Sequence, residues 1–399
     1  MSKGPKGRIG ILTGGGDVPG LNPAIRALTV RAVREGFDVV GIRRGWAGLV
    51  ETCRDDGTDN SHCVMPLTKE LVNQYGRTGG TLLHSSRTRP SAVPKNDVPA
   101  HLADKYTADK NDLTDEVIAN LDYLGIDHLV PIGGDDTLSY AVELGRRGVP
   151  VVAVPKTMDN DVPGTDYCLG FSTCVTRIVN ITNQLRTSAA SHERIMIVEV
   201  FGRYAGFTAL LPTIAGAAHR CLIPECKGDI DKLTEILVED RNQHPEKYSV
   251  CLVSEGAALE GEDMLFTNQE KDQYGHAKLG GIGDRVSVLV KQRAPEYNDG
   301  RKIDMISMNL GYAVRSGDPD AIDSIVPMAY GNLAIDLLLR GDHGRMVALR
   351  SGRYDSVPID TVVASKKVVD VEKFYDTERY RPTYATFELQ PMLVLGAAS

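Results

Sequence analysis

Residues 128–161 read HLVPIGGDDTLSYAVELGRRGVPVVAVPKTMDND. His128–Ile132 is a short apolar run that stops at Gly133-Gly134, and Val151–Val154 is another that stops at Pro155. Short apolar runs closed by glycine or proline read as buried strands. Runs apolar on both faces, with helix between them, belong in a parallel sheet covered by helices on both sides.

The same alternation extends in both directions. Arg8–Leu12 reads as a strand, followed by a glycine loop and a helix from about Asn22, whose apolar face is Ile25, Leu28 and Ala32. Phe37–Ile42, Ile195–Val200 and Val250–Val253 are further strands. The expected fold class is α/β, with two doubly wound, Rossmann-like parallel-sheet units. Asp318–Leu339 reads as helix from the spacing of Ile322, Ile325, Val326, Ala329 and Leu333, with a kink or break expected at Pro327. Pro358–Val363 reads as strand. Arg54–His62, Arg89–Asn111 and Ala258–His276 are polar excursions, readable as lid, interface or insertion.

Composition narrows the function class. The 399 residues are 42% hydrophobic and 25% charged, enough for at least two domains. A net charge of −8, without a dense Lys/Arg run, argues against a nucleic-acid partner. The seven cysteines are scattered without a C-x-x-C pair, so free thiols are expected. MSKGPKGRIGILTGGG has no signal-peptide core, and no apolar run approaches membrane-spanning length, which leads us to expect a cytoplasmic protein with no membrane partner.

In doubly wound sheets ligands sit beyond the carboxyl ends of the strands, and here polar residues collect at those ends. Thr13-Gly14-Gly15-Gly16-Asp17 places glycines before a helix, where backbone N–H groups and the helix dipole favour a phosphate. It is neither G-x-G-x-x-G nor a Walker loop, and a tight structural turn fits it equally well. Gly133-Gly134-Asp135-Asp136-Thr137 places paired carboxylates beside a glycine turn. Such a pair suits Mg²⁺, while a helix cap is the plainer alternative. Pro155-Lys156-Thr157-Met158-Asp159-Asn160-Asp161 joins a cation, a hydroxyl and two carboxylates. Phosphoryl transfer to an alcohol needs that mixture, a base for the hydroxyl and a cation for phosphoryl oxygens. A solvated turn would also carry these residues, but would not repeat at successive strand ends.

TGGGDVPGLN, GGTLLHSSR, GGDDT, PKTMDND, SHER and VFGRYAG occur in that order. The series resembles the phosphofructokinase family from about Arg8 to Leu339. That resemblance implies a phosphate-donor unit of residues 1–155 with about 312–345. A sugar-phosphate unit would follow, of residues 156–311 with about 346–399. It implies Asp159 as the general base toward a sugar 1-hydroxyl, Asp161 as its acidic neighbour, Thr157 beside the transferring phosphoryl, and Asp135 as the Mg²⁺ ligand. Gly15 and Arg87 match donor-phosphate positions. Phe201, Gly202, Arg203, Glu255, Tyr312 and Arg315 match acceptor positions. Arg194 matches an arginine offered to a neighbouring subunit's sugar phosphate, which implies a homodimer or homotetramer with shared sites.

The chain departs from the family pattern at Ile306, where an arginine facing a 6-phosphate is frequent, and at Phe201, where methionine is common. Val30 stands where bacterial ATP enzymes carry an effector-site arginine, so nucleotide control of that kind is not expected. ATP-using members usually have glycine where Asp136 and Lys156 stand, whereas pyrophosphate-using members resemble this chain at both. The expected reaction is therefore transfer from pyrophosphate to fructose 6-phosphate. An ATP-dependent enzyme and a non-catalytic sugar-phosphate sensor are the alternatives.

Overall fold

The computed structural model describes residues 6–271, 277–383 and 388. Its larger sheet has seven strands, in the order Arg353–Pro358, Arg345–Arg350, Val152–Pro155, His128–Gly133, Arg8–Thr13, Asp38–Ile42 and Val64–Pro66. The five inner strands are parallel and both edge strands are antiparallel. The smaller sheet, Met305–Asn309, Ile195–Val200, Ser249–Ser254 and Arg220–Leu222, is parallel throughout. The α/β class is as expected, with the parallel expectation corrected at the edges of the larger sheet.

The buried strands alternate between two cores, because successive side chains leave a strand on opposite faces. Ile9, Ile11, Val130, Ile132, Val152 and Val154 join one apolar cluster, which continues into the smaller sheet. Leu12, Leu129, Val151, Ala153 and Met346 join the other. This two-sided burial is why the runs are apolar without alternating.

The helix expected over Asp318–Leu339 is Ile322–Arg340, starting later because the Asp320 carboxylate accepts the Asp323 N–H at 2.9 Å and so closes its first turn. It continues through Pro327 as one helix. Against the sequence expectation, its 19 residues are long and apolar enough to cross a membrane by length and composition. It is nonetheless packed against helix Leu21–Glu35, with Gly331 so close that a Cβ there would lie 2.8 Å from the Cβ of Ala27. Asp323 is fully buried and binds this helix to the start of helix Phe171–Ser191, accepting from Tyr167 Oη, Gly170 N, Thr173 N and Thr173 Oγ1 at 2.6–2.8 Å.

Pro358–Val363 is not a strand. The preceding residues Arg353–Pro358 pair with Arg345–Arg350 and stop at Pro358, which has no N–H to continue the ladder, and Thr361–Ala364 then turns into helix. Both strands extend the larger sheet, so the segment from 346 onward divides. Farther on, Tyr375, Arg379 and Tyr380 bond to Arg220 and Cys221 of the smaller sheet.

Two of the polar excursions are pinned in place. Arg54 and Lys105 each meet the Glu116 carboxylate at 2.5 Å, and Tyr106 donates to it at 3.1 Å. Burial alone would raise the Glu116 pKa, but the bonds from Lys105 and Arg54 outweigh it and hold the group at about 2. Of the third excursion, residues 272–276 lie outside the described residues.

Candidate active site

The carboxyl ends of strands from both sheets converge on one cleft. Three strands of the larger sheet, Arg8–Thr13, His128–Gly133 and Val152–Pro155, deliver Gly15, Asp135 with Asp136, and Lys156 through Asp161. Ile195–Val200 of the smaller sheet delivers Arg203, and Arg87 comes from the chain that packs beside the glycine loop. Gly15, Arg87, Asp135, Asp136 and Lys156 thus share one cavity wall with Thr157, Asp159, Asp161 and Arg203.

The glycine loop is built for close approach, though with a narrower cradle than expected. Gly14 N–H donates to Ile132 O and Gly15 N–H to Ser86 O, each at 3.0 Å, so these two donors are already used. Cations take over the wall. Lys156, 4% exposed, donates from Nζ to Gly16 O at 2.7 Å. Burial, with Arg315 adding to it, lowers its pKa to about 8 against the pull of Asp135 and Asp17. A side chain on Gly16 would strike the Arg315 guanidinium, which donates to Asp17 O at 2.7 Å and to Asp17 Oδ1 at 3.1 Å. Arg315 therefore clamps the loop from outside the cavity wall.

Asp159 and Asp161 are separated by Asn160, which holds a left-handed φ of 56°. Its side chain is bonded on both sides, donating to Asp166 O at 3.0 Å and accepting from Cys168 N at 2.9 Å, which keeps that turn in place. Arg203 N–H reaches Asp159 Oδ2 at 3.5 Å, while Asp159 Oδ1 is buried with no hydrogen-bond partner. Burial raises the Asp159 pKa and Glu255 adds to it; burial also raises that of Asp161, with Asp159 and Asp135 adding to it. Glu255 is itself pushed up to about 7 by burial, against Arg203. A buried carboxylate with a raised pKa and an unused oxygen is equipped to accept a proton near neutral pH.

Neither aspartate of Asp135-Asp136 is the helix cap, which is Gly134. Both lie in the first turn, and Asp135 Oδ1 accepts Asp136 N–H at 2.9 Å. The carboxylate oxygens of Asp135 and Asp161, facing one cavity, are the hard donors that Mg²⁺ takes, and the residues fit that ion.

The other residues expected on the acceptor side are not part of this cavity's lining. Glu255 follows strand Ser249–Ser254 and faces Asp159 electrostatically. Phe201 lies with its ring 5.9 Å from the Arg315 guanidinium, Gly202 makes the adjoining turn at a φ of 118°, and Tyr312 is 70% exposed. Arg194 is not brought to the cleft at all. It precedes strand Ile195–Val200, at the opposite end from Arg203, and its Nε is buried without a partner. Asp17, Tyr204 and the chain at 362–368 are the residues that sequence reasoning missed. Asp17 and Tyr204 stood inside quoted motifs, whereas the last segment carried no motif.

A family model described as Phosphofructokinase matches residues 8–338, leaving the 362–368 segment outside the match. The chain is 36% identical over 382 residues to a pyrophosphate–fructose 6-phosphate 1-phosphotransferase of Dictyoglomus thermophilum, covering 93% of this chain and 97% of that one. It is also 36% identical to an ATP-dependent 6-phosphofructokinase 3 of Streptomyces coelicolor, covering 93% of this chain and 99% of that one. A crystal structure of a pyrophosphate-dependent phosphofructokinase from Marinobacter aquaeolei superposes with a TM-score of 0.72 at 20% identity, over 95% of this chain and 89% of that one.

Proposed function

The chain belongs to the phosphofructokinase family, and from that premise we propose that it transfers a phosphoryl group from pyrophosphate to the 1-hydroxyl of fructose 6-phosphate. The observation that carries the donor choice is that Asp136 and Lys156 line the same cavity wall as Gly15 and Arg87. The second reading, ATP as donor, draws on the ATP-dependent relative of equal similarity.

In this reading Asp159 accepts the hydroxyl proton as the oxygen forms its bond to phosphorus. The bridging P–O bond breaks on the far side, and orthophosphate leaves. Lys156 and Arg87 offer charge to the donor oxygens, and Arg203 lies beside both the base and the transferring group. Thr157 steadies the loop by accepting Asp159 N–H at 3.2 Å. Asp135 would hold Mg²⁺, which supplies charge neutralisation for the phosphoryl oxygens. Phe201, Gly202, Glu255, Tyr312 and Arg315 form the acceptor side.

Both directions use the same groups, which gives a test free of nucleotide. Fructose 1,6-bisphosphate, orthophosphate and Mg²⁺ are expected to yield pyrophosphate, followed by ³¹P NMR. No pyrophosphate from an enzyme active in the forward direction with ATP would replace this reading with the second.

Arg194 is expected to serve a neighbouring subunit. A six-residue strand separates it from Phe201, about 20 Å at the usual rise per residue, too far to reach its own site. Mixed oligomers of inactive Arg194→Ala and inactive Asp159→Asn subunits should recover activity, since one hybrid site keeps both residues. Hybrids that form and stay inactive would rule out sharing.

A further inference from the structure

The cleft crowds its carboxylates. Asp135, Asp159 and Asp161 line it and Glu255 faces Asp159. The cations already described come from two sides: Lys156 and Arg87 on the donor side, Arg203 and Arg315 on the acceptor side. A third side is covered by the segment joining edge strand Arg353–Pro358 to the short helix Val371–Phe374. This segment lines a second cavity, of about 510 Å³, whose opposite wall contains Asp135, Asp161 and Tyr204. The same three residues line the catalytic cleft, so the two spaces meet there.

Lys367 lies in that segment. Its Nζ donates to Asp166 O at 3.2 Å and sits 5.4 Å from the ring centroid of Phe207. It therefore ties together the loop after Asp161, the helix after Phe201–Tyr204 and the segment itself. Burial lowers the Lys367 pKa, while Cys168, Asp166 and Asp161 raise it. Lys367 is half-buried, and an ammonium withdrawn from water is costly unless anions offset it. The Cys168 thiol, pushed up to about 12 by burial, is neutral, and the Asp166 carboxylate accepts Ser351 N–H at 2.5 Å. Asp161 is the carboxyl group of this set that stands in the cleft.

We infer that Lys367 is a positioning residue for phosphoryl transfer: its ammonium pins the loop that follows Asp161 by bonding Asp166 O, and offsets the charge of Asp161 across the cavity the two residues share. The inference rests on the phosphotransferase reading of the cleft, with either donor. Lys367 lines the second cavity and not the catalytic cleft, so it should act on turnover and not on binding.

The test uses the full-length enzyme with fructose 6-phosphate and Mg²⁺, assayed with pyrophosphate and with ATP. Lys367→Met should lower kcat about 10–100-fold while both KM values stay within about threefold. Lys367→Arg, which restores the charge, should recover most of the loss. Lys373→Met, at an exposed residue that lines neither cavity, should match wild type. Melting curves identify variants that fold. If Lys367→Met does not, Lys367→Gln takes its place, keeping a hydrogen-bond donor without the charge. Unchanged kcat in a folded, uncharged variant, a rise in KM alone, or an arginine variant no better than methionine would each overturn the inference. Wild-type rates report on the phosphotransferase reading; the ratio of variant to wild type reports on Lys367.

Discussion

Asp159→Asn is expected to lose about 10²–10⁴-fold in kcat, with KM for fructose 6-phosphate nearly unchanged. Asparagine keeps the shape and can still take the Arg203 N–H, but it cannot accept a proton. Asp159 Oδ1, buried without a partner, is the atom whose chemistry is removed. The same reasoning fixes a pH dependence. Burial raises the Asp159 pKa, so the base form is lost as pH falls through a value above the ordinary carboxylate range. The acid limb of kcat/KM should therefore lie well above pH 4 in the wild type and vanish in Asp159→Asn. Near-normal turnover in the folded variant would remove Asp159 from the role.

The second large effect concerns the donor. Asp136 lines the cleft beside Asp135, and in the proposed reading the α-phosphate of ATP would have to pass it. Two like charges at about 4 Å with an effective dielectric near 20 repel by about 4 kcal/mol. Each 1.4 kcal/mol or so is tenfold, so one carboxylate is worth about two to three decades of discrimination. Asp136→Gly removes both charge and bulk, and kcat/KM for ATP should rise about 10²-fold or more. Pyrophosphate use should fall most when Lys156 is lost as well. Lys156 also holds Gly16 O at 2.7 Å, so the two effects share one environment and need not add. An Asp136→Gly enzyme with unchanged ATP kinetics would show that the selectivity lies elsewhere.

Much of the fold was legible because the buried strands are two-sided. Ile9, Ile11 and Leu12 supply both cores from one short run, and no loop can carry such a run. Arg345–Arg350 escaped notice although Met346, Val347 and Ala348 supply both cores; other missed strands are short or exposed. Met305–Asn309 is a half-exposed edge, Arg220–Leu222 has three residues, and Arg353–Pro358 is mostly exposed. At the site, loops that follow strands announced themselves by their polar residues. Arg315 was legible as a site residue, but its bond to Asp17 spans 298 positions and depends on how the two sheets face each other. Lys367 was not legible at all, since only the tertiary path of its segment brings it behind Asp161.

The choice of donor is tested most directly by one comparison of rates. The kcat/KM values of the wild-type enzyme for pyrophosphate and for ATP should be measured with fructose 6-phosphate and Mg²⁺ saturating. A ratio of at least about 10² in favour of pyrophosphate is expected from the repulsion assigned to Asp136. Efficient turnover with ATP and none with pyrophosphate would contradict it.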